Sequence, residues 1–207
     1  PMYEVLKSSS QKIKQSKILN DLNLKHGKYI VISCHREENV DEKDNFKKLI
    51  QSLNKICELY NMPLIFPIHP RTKKKLSNNN LRLNTLIKLI DPLGFIDYNK
   101  LQMNSFVVLS DSGTISEESS ILNFRALNIR ETHERHEAME ESSVIMTGLD
   151  IERILQALES LKSQEITNER NILEVPDYKV PNISIKIERI IISYINYVNR
   201  VVWQKES

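Results

Sequence analysis

Apolar residues follow two different spacings along this chain. Short, nearly continuous apolar runs rich in β-branched residues predict β-strands, and they cover residues 29–33, 63–69, 86–95, 106–110, 126–130 and 143–148. Between these runs, apolar residues recur every three or four positions, which is the spacing of an amphipathic helix. The clearest such pattern covers residues 43–60, and Asp41 is its predicted N-cap.

Helices are predicted between most of these strands and at both ends of the chain. They cover residues 3–20, 71–80, 97–105, 114–122, 136–141, 150–161 and 183–202, with Asp150 as a further cap. Strands that alternate with helices at this spacing are typical of a parallel sheet, and nearly continuous apolar strands indicate burial on both faces. The sequence therefore predicts an α/β fold with a Rossmann-like, doubly wound parallel sheet. Pro67 indicates the end of a strand or an edge strand.

The C-terminal pattern stands apart, because it follows the Pro-containing linker VPDYKVPN. One wide apolar face of this predicted helix contains Ile187, Ile191, Tyr194, Ile195, Val198 and Val202. A long amphipathic helix beyond the sheet needs another surface to cover. We predict a linker helix in residues 1–20, a domain in residues 21–180, and a C-terminal helix in residues 181–207. That helix would pack on a partner domain or on a second copy of the chain, giving a homo-oligomer such as a dimer.

Composition excludes several classes of protein. The 207 residues carry a formal net charge of +2 without an Arg stripe between aromatic residues, so a nucleic acid is not an expected partner. No apolar run approaches the ~20 residues of a membrane span, and residues 1–17 lack an apolar signal-peptide core. Cys34 and Cys57 form no disulfide framework. These features indicate a cytoplasmic protein with reduced thiols and no membrane partner.

Reactive side chains follow the predicted strands, where ligands sit in an open parallel sheet. The first strand is followed by His35, Arg36, Glu37 and Asn39, the second by His69, Pro70 and Arg71, the third by Asp91, the fourth by Ser112 and Gly113, and the fifth by Arg130, Thr132, Glu134 and Arg135. Because the carboxyl ends of parallel strands meet at one edge of the sheet, these residues are expected on the same side of the domain.

Ser112 and Gly113 lie between the fourth strand and the predicted start of a helix. A helix N-terminus offers backbone N–H donors and the positive end of the helix dipole, and both favour a phosphate group. Glycine lets a ligand approach the backbone closely. Glu118, one turn further, is placed to accept hydrogen bonds from both hydroxyls of a ribose, and Arg135 is suited to pairing with phosphate.

Each of these residues also has a simpler interpretation. Asp-Ser-Gly is most often a turn with a helix cap, His35 is more often a loop histidine than a catalyst, and paired Glu117 and Glu118 are also typical of a solvated helix face. A metal site at Cys34 and His35 is discarded because no second ligand pair follows at a suitable spacing. Ser112 lacks the G-x-S-x-G context of an acyl-transfer nucleophile.

Five motifs, SCHREENVD, PIHPRT, DPLGFIDY, LSDSGTISEE and NIRETHERHEAME, stand in this order along the chain. Together they resemble the non-hydrolysing UDP-N-acetylglucosamine 2-epimerases, and DSGTISEESSILNF is most similar to the capsular-polysaccharide branch. The resemblance implies the C-terminal half of a glycosyltransferase-B type fold, entered by a linker from an N-terminal domain that this chain lacks. It also implies reversible elimination and re-addition of UDP from a UDP-N-acetyl-hexosamine, with no nicotinamide cofactor and no metal.

Matched position by position, the resemblance implies roles for individual residues. UDP binding falls to Tyr98, Ser112, Gly113, Glu118 and Arg135, with Tyr98 near the uracil and Glu118 at the ribose. As a catalytic residue, His35 would face the sugar diphosphate. A second UDP-N-acetylglucosamine, which activates some bacterial members, would contact Arg36 and His69.

The sequence departs from the family at two positions, where His136 and Arg125 replace prolines. Loss of the first proline is expected to loosen the loop that holds Arg135. The acid/base carboxylates of the family lie mainly in the N-terminal half, so the chain alone is expected to be inactive or nearly so. Two alternatives stay open: a non-catalytic UDP-sugar-binding module and the C-terminal half of a UDP-dependent glycosyltransferase. HREEN and HERHEA fit the epimerases better than the glycosyltransferases.

Overall fold

Six parallel strands form a single sheet in the computed structural model, which describes residues 1–78, 81–132, 135–164 and 174–205, without the side chains of residues 71 and 78. The strands are β1 (Ile30–Ser33), β2 (Leu64–Pro67), β3 (Ile87–Ile90), β4 (Val107–Ser110), β5 (Ala126–Asn128) and β6 (Ile145–Met146). Their order across the sheet is β3-β2-β1-β4-β5-β6, and every neighbouring pair is parallel. The predicted Rossmann-like, doubly wound sheet is confirmed.

Helices connect these strands and extend beyond them. They are α1 (Met2–Gln15), α2 (Ile18–Asp21), α3 (Glu37–Val40), α4 (Lys43–Tyr60), α5 (Pro70–Asn78), α6 (Phe95–Met103), α7 (Ile115–Leu122), α8 (His136–Glu140), α9 (Ile151–Ser163) and α10 (Ile183–Tyr197). A 3-10 turn at Pro176–Tyr178 precedes α10, and a π-helical turn at Val198–Val202 follows it. Among the helices of the described residues, none has the length and hydropathy that a membrane span requires.

Alternating strand residues supply two apolar layers, one on each face of the sheet. Ile30 and Ile32 of β1 pack in a layer that includes buried residues of α4 and α9. Val31 points to the opposite face and packs in a layer with Leu101 of α6 and Ile115 of α7. Burial on both faces explains why the strands lack the apolar–polar alternation of a sheet with one solvated face. The two layers hold the carboxyl ends of the strands in fixed positions.

The N-terminal helix is shorter than predicted. The pattern predicted a polar helix over residues 3–20, but α1 ends at Gln15 and the chain turns at Ser16 before α2. The Ser16 hydroxyl donates to Asp97 Oδ1 at 2.6 Å, which fixes this turn to α6. Leu6 and Ile13 are buried, so α1 has an apolar face directed at the domain rather than a polar surface all round.

The two predicted helix caps differ in outcome. Asp41 is not the N-cap of α4: Glu42 occupies that position, while Asp41 follows α3 and pairs its carboxylate with Lys75. Asp150 is confirmed as the cap of α9, because its Oδ1 accepts a hydrogen bond from Arg153 N at 3.0 Å. Pro67 ends β2, which is an inner strand, so the first of its two interpretations is correct.

Arg125, which replaces a family proline, lies just before β5 and bridges two parts of the fold. Its guanidinium lies 5.7 Å from the ring centre of Phe106, and its Nη2 donates to the backbone oxygen of Gln164 after α9. A cation over an aromatic face is attractive. The side chain thus ties the amino end of the sheet to the end of α9, which a proline could not do.

Helix α10 lies outside both apolar layers, and none of its residues is buried. Its predicted apolar face is exposed, with Ile191 at 55% and Ile195 at 52%. Further apolar side chains on other sides of the helix are exposed as well, among them Ile192 at 68%. At its start, Asn182 N donates to Glu4 Oε1 at 2.7 Å, which links the helix to α1. The exposed apolar surface is therefore wider than the sequence pattern predicted.

Candidate functional site

The order in which the chain adds strands to the sheet reverses between β1 and β4. From β1 the chain proceeds outward to β2 and β3, and from β4 it proceeds outward on the other side to β5 and β6. In open α/β sheets, ligands bind in the crevice at such a switch point, at the carboxyl ends of the strands. Ser33 and Ser110 are register partners at the ends of these two strands. The residues that follow them form the candidate site.

Asp111 occupies the centre of this crevice and is fully buried. Its Oδ2 accepts hydrogen bonds from the backbone N–H groups of Arg36 at 3.0 Å and His35 at 3.1 Å. The Nδ2 of Asn39 and the thiol of Cys34 donate to the same oxygen, each at 3.1 Å. A buried charge needs such donors, so the loop after β1 is fastened to the end of β4.

Ser112 and Gly113 form the turn between β4 and α7. Ser112 N donates to Ser110 Oγ at 3.1 Å, and the hydroxyls of Ser112 and Thr114 lie 2.9 Å apart. Gly113 is not in the left-handed region of φ, and a Cβ built on it meets no atom of the described residues within 4 Å. Neither the backbone conformation nor the surrounding side chains therefore require a glycine here.

Glu118 and Tyr98 lie close to each other beside this turn. Burial raises the pKa of the Glu118 carboxyl above its ordinary value, while hydrogen bonds from Gln102 and Thr114 oppose the rise. Gln102 Nε2 is 3.0 Å from Glu118 Oε2. Burial also raises the pKa of the Tyr98 phenol, and the nearby Glu118 carboxylate acts in the same direction. Both groups lie in an environment of reduced solvation, where a hydrogen bond to a ligand is strengthened.

Arg135 lies in a chain of charged groups next to α7. Its Nη2 is 3.3 Å from Glu117 Oε2, and its Nη1 is 3.9 Å from Glu137 Oε1. The Tyr178 hydroxyl donates to the same Glu137 oxygen at 3.0 Å. The guanidinium side chain is 40% exposed, so its charge is directed partly at acidic neighbours and partly at solvent beside the crevice.

His35, Arg36 and His69 occupy neighbouring strand ends. The His35 side chain is 62% exposed, with Nδ1 at 3.6 Å from Asp111 Oδ1. Arg36 Nε donates to the backbone oxygen of Asp111 at 2.9 Å. His69 follows β2, where its backbone oxygen accepts from Lys73 N in the first turn of α5. The three residues thus lie along the β4–β1–β2 side of the crevice, with His69 furthest from the Ser112–Gly113 turn.

A family model described as UDP-N-acetylglucosamine 2-epimerase matches residues 1–192. The chain belongs to this family. A relative named UDP-N-acetylglucosamine 2-epimerase from Methanococcus maripaludis is 38% identical over 160 residues, which are 75% of this chain and 43% of the relative. A relative of the same name from Methanocaldococcus jannaschii is 36% identical over 141 residues, or 66% and 38% of the two chains.

Solved structures of epimerases have the same fold. The enzyme from Rickettsia bellii superposes with a TM-score of 0.86 at 45% identity, covering 99% of this chain and 54% of that one. The Methanocaldococcus jannaschii enzyme, solved with UDP-GlcNAc and UDP, gives a TM-score of 0.78 at 28% identity, with 91% and 52% covered. The chain therefore spans about half the length of the epimerases it matches.

Two residues of the site were not found from the sequence. Asp111 was considered only as part of the Asp-Ser-Gly turn, and no local sequence pattern marks it as buried, because its partners lie in the loop after β1. Gln102 was part of a helix without an assigned function, although it lies four residues after Tyr98 and so on the same helix face. Of the predicted strand-end residues, Glu134 lies outside the described residues. Within those residues, no group of three or more His, Cys, Asp and Glu side chains is arranged for a metal ion.

Proposed function

We propose that this chain supplies the UDP-binding half of a non-hydrolysing UDP-N-acetylglucosamine 2-epimerase. Membership of the epimerase family supports the reaction class, and the nucleotide-sugar complex of the Methanocaldococcus jannaschii enzyme supports the ligand class. The other half of the enzyme would be an N-terminal domain that leads into α1, or a separate chain. The chain alone is then inactive or nearly so, because the acid/base carboxylates belong to the other half.

The observation that carries this proposal is that no atom of the described residues lies within 4 Å of the position that a Cβ would take on Gly113. A turn glycine is usually required by a positive φ or by a close neighbour, and neither applies here. The remaining physical reason is close approach of a ligand to the backbone. A helix N-terminus follows this position directly, so the ligand group that best fits the space is a phosphate.

The surrounding side chains suit the rest of UDP. Ser112 offers a hydroxyl to the diphosphate, and Arg135 offers a guanidinium for paired hydrogen bonds. Glu118 offers its carboxylate to the two ribose hydroxyls, and Tyr98 offers an aromatic ring for the uracil. Their arrangement around one end of α7 supports a single nucleotide site.

In the proposed reaction, a base of the other half removes the proton from C2 of the sugar. The C2–H electron pair forms the C1–C2 double bond, and the C1–O bond breaks so that UDP leaves with that bonding pair. Return of UDP and of a proton to the glycal gives the C2 epimer. This half stabilises the negative charge on departing UDP through the start of α7, Arg135 and His35, which is the kind of electrostatic assistance that lowers such a barrier. We assign His35 the catalytic contact with the sugar diphosphate.

Other parts of the proposal rest on the family resemblance. The product would enter surface polysaccharide precursors, as in the capsular branch, in the cytoplasm. Arg36 and His69 would contact a second UDP-N-acetylglucosamine that activates the enzyme. The exposed apolar surface of α10 would pack on the N-terminal half or on a second chain, and the second arrangement would make the enzyme a homo-oligomer.

Calorimetric titration with UDP, and with ADP as the control nucleotide, tests the binding half of the proposal. We expect UDP to bind selectively, and Gly113→Ala to weaken UDP by about tenfold or more because a methyl group enters the phosphate space. Equal binding of UDP by the Gly113→Ala chain would contradict the assignment.

A test of the epimerase reaction requires an added N-terminal half and UDP-N-acetylglucosamine, and the product measured is the manno epimer. Turnover is expected only when both halves are present. Selective UDP binding without turnover would favour a non-catalytic UDP-sugar-binding module. Transfer of the sugar to an acceptor would favour a glycosyltransferase instead.

A further inference from the structure

Asp111 stands apart from the other site residues because it points away from solvent and into the protein. Its carboxylate is fully buried, and the groups that donate to it come from the loop after β1 rather than from its own segment. Cys34 and Asp111, which form one of these contacts, are 77 residues apart in the sequence. The carboxylate therefore acts between two parts of the chain that only the sheet brings together.

Both the side chain and the backbone of Asp111 accept hydrogen bonds from the loop after β1. The carboxylate of Asp111 accepts from the backbone of His35 and Arg36, and the backbone oxygen of Asp111 accepts from Arg36 Nε at 2.9 Å. Hydrogen bonds to an ionised acceptor are stronger than neutral ones and have stricter geometry. The loop after β1 is thus fixed in position as well as attached.

A simpler interpretation makes Asp111 an N-cap for the short helix α3. The donors argue against it, because a cap accepts from the second or third residue inside a helix. Here the backbone donors are His35 and Arg36, which precede α3, and the backbone N–H of Asn39 is already bonded to Arg36 O at 3.0 Å. The carboxylate orders the loop itself.

We infer that Asp111 is a positioning residue that fixes the His35–Arg36 segment against the Ser112–Gly113 turn. Asp111 is the residue directly before Ser112, so any movement of the turn is transmitted to the loop after β1. If the proposed function holds, on which this consequence rests, Asp111 sets the separation between the diphosphate subsite and His35.

Amide hydrogen exchange of the full chain tests the inference without any ligand. In the unaltered chain, the His35 and Arg36 amides should be protected although the His35 side chain lies at the surface. Exchange at the rate of an unstructured peptide would overturn the inference. In Asp111→Asn, the neutral acceptor is weaker, so these two amides should exchange about 10- to 100-fold faster.

Asp150→Asn is the matched control, because it makes the same chemical change at a helix cap where Asn serves as well as Asp. It should leave both loop amides unchanged. Loop amides in Asp111→Asn that are as well protected as in the unaltered chain would overturn the positioning role. Asp111→Glu, which restores the charge, should recover part of the protection.

UDP titration of the same variants adds the functional readout. Asp111→Asn should weaken UDP by about tenfold, and its thermal midpoint should fall below that of Asp150→Asn because the weakened hydrogen bonds belong to the native state. Unchanged UDP affinity, with binding by the unaltered chain intact, would contradict the consequence for the site. If the unaltered chain fails to bind UDP, the proposed function fails, and the exchange measurement still decides the role of Asp111.

Discussion

Gln102 Nε2 donates a hydrogen bond to Glu118 Oε2 at 3.0 Å, from a position that is itself buried. The bond stabilises the ionised form of a carboxyl group whose pKa burial raises above its ordinary value of 4.5. Because the pKa is raised in the folded chain, Glu118 contributes stability below its unfolded pKa, and this contribution is lost as the pH rises through the folded pKa. When Glu118 is ionised, a ligand with two hydroxyls would donate hydrogen bonds to the buried carboxylate and replace part of its lost hydration.

The affinity for UDP-N-acetylglucosamine should fall on acidification, and at a higher pH than an ordinary glutamate would produce, because the protonated carboxyl accepts fewer hydrogen bonds. UDP-N-acetylglucosamine is the better ligand for this titration than UDP, because its diphosphate lacks the terminal phosphate group that ionises near pH 6. Calorimetric titrations between about pH 4 and 8 measure the effect. Glu118→Gln should bind more weakly without this pH dependence. Gln102→Leu should move the midpoint to higher pH, and an unmoved midpoint would count against the hydrogen bond.

Glu117 and the ligand are predicted to compete for Arg135. Glu117 Oε2 lies 3.3 Å from Arg135 Nη2, so a bound diphosphate has to share or replace this contact. Glu117→Gln should raise the affinity for UDP roughly two- to fivefold, in line with the modest energy of a partly exposed ion pair. Glu159→Gln, which alters an exposed carboxylate paired with Lys162, is the control. A lower affinity in Glu117→Gln would mean that Glu117 orients Arg135 for the ligand.

Replacement by alanine should destabilise the chain at Gly148 but leave its stability nearly unchanged at Gly113. Gly148 has φ of +61°, and an added Cβ would lie 2.9 Å from Glu131 Cδ. The Glu131 side chain can move aside, so the main cost is the left-handed backbone, and Gly148→Ala should lower the free energy of unfolding by about 1–2 kcal/mol. Gly113→Ala should change it by less than about 0.5 kcal/mol. Chemical denaturation measures both, and equal losses would refute the distinction.

The apolar surface of α10 should cause association in solution. Exposed apolar patches of this kind mark interaction surfaces, and the exposed residues include Ile191 and Ile195. Replacing both by Glu should shift the chain to monomer in sedimentation velocity runs at a concentration where the unaltered chain associates. Ser193→Glu with Asn196→Glu adds the same charge on the opposite side of the helix and should have a smaller effect. A monomeric unaltered chain at high concentration would contradict the prediction.

The sequence predicted the sheet well because its strands are buried on both faces and are therefore apolar throughout. It predicted that the residues after β1, β2 and β4 lie on one side of the domain, because parallel strands place their carboxyl ends at one edge of the sheet. It could not place the cap of α4 at Glu42, since Asp41 fits the same pattern and is diverted to Lys75, which is distant in sequence. The sequence could not predict the contacts of Asp111 either, because they depend on the pairing of β1 with β4.

The adjacency of β1 and β4 also governs the order in which the chain can fold. Strands β2 and β3 are synthesised before β4, so a nascent chain that ends before Val107 has three strands available and no partner for one edge of β1. That edge is apolar and unpaired, which favours pairing with other chains. Synthesis through β4 both covers this edge and delivers Asp111 to the loop after β1. The crevice therefore cannot form until β4 has been synthesised and has paired with β1.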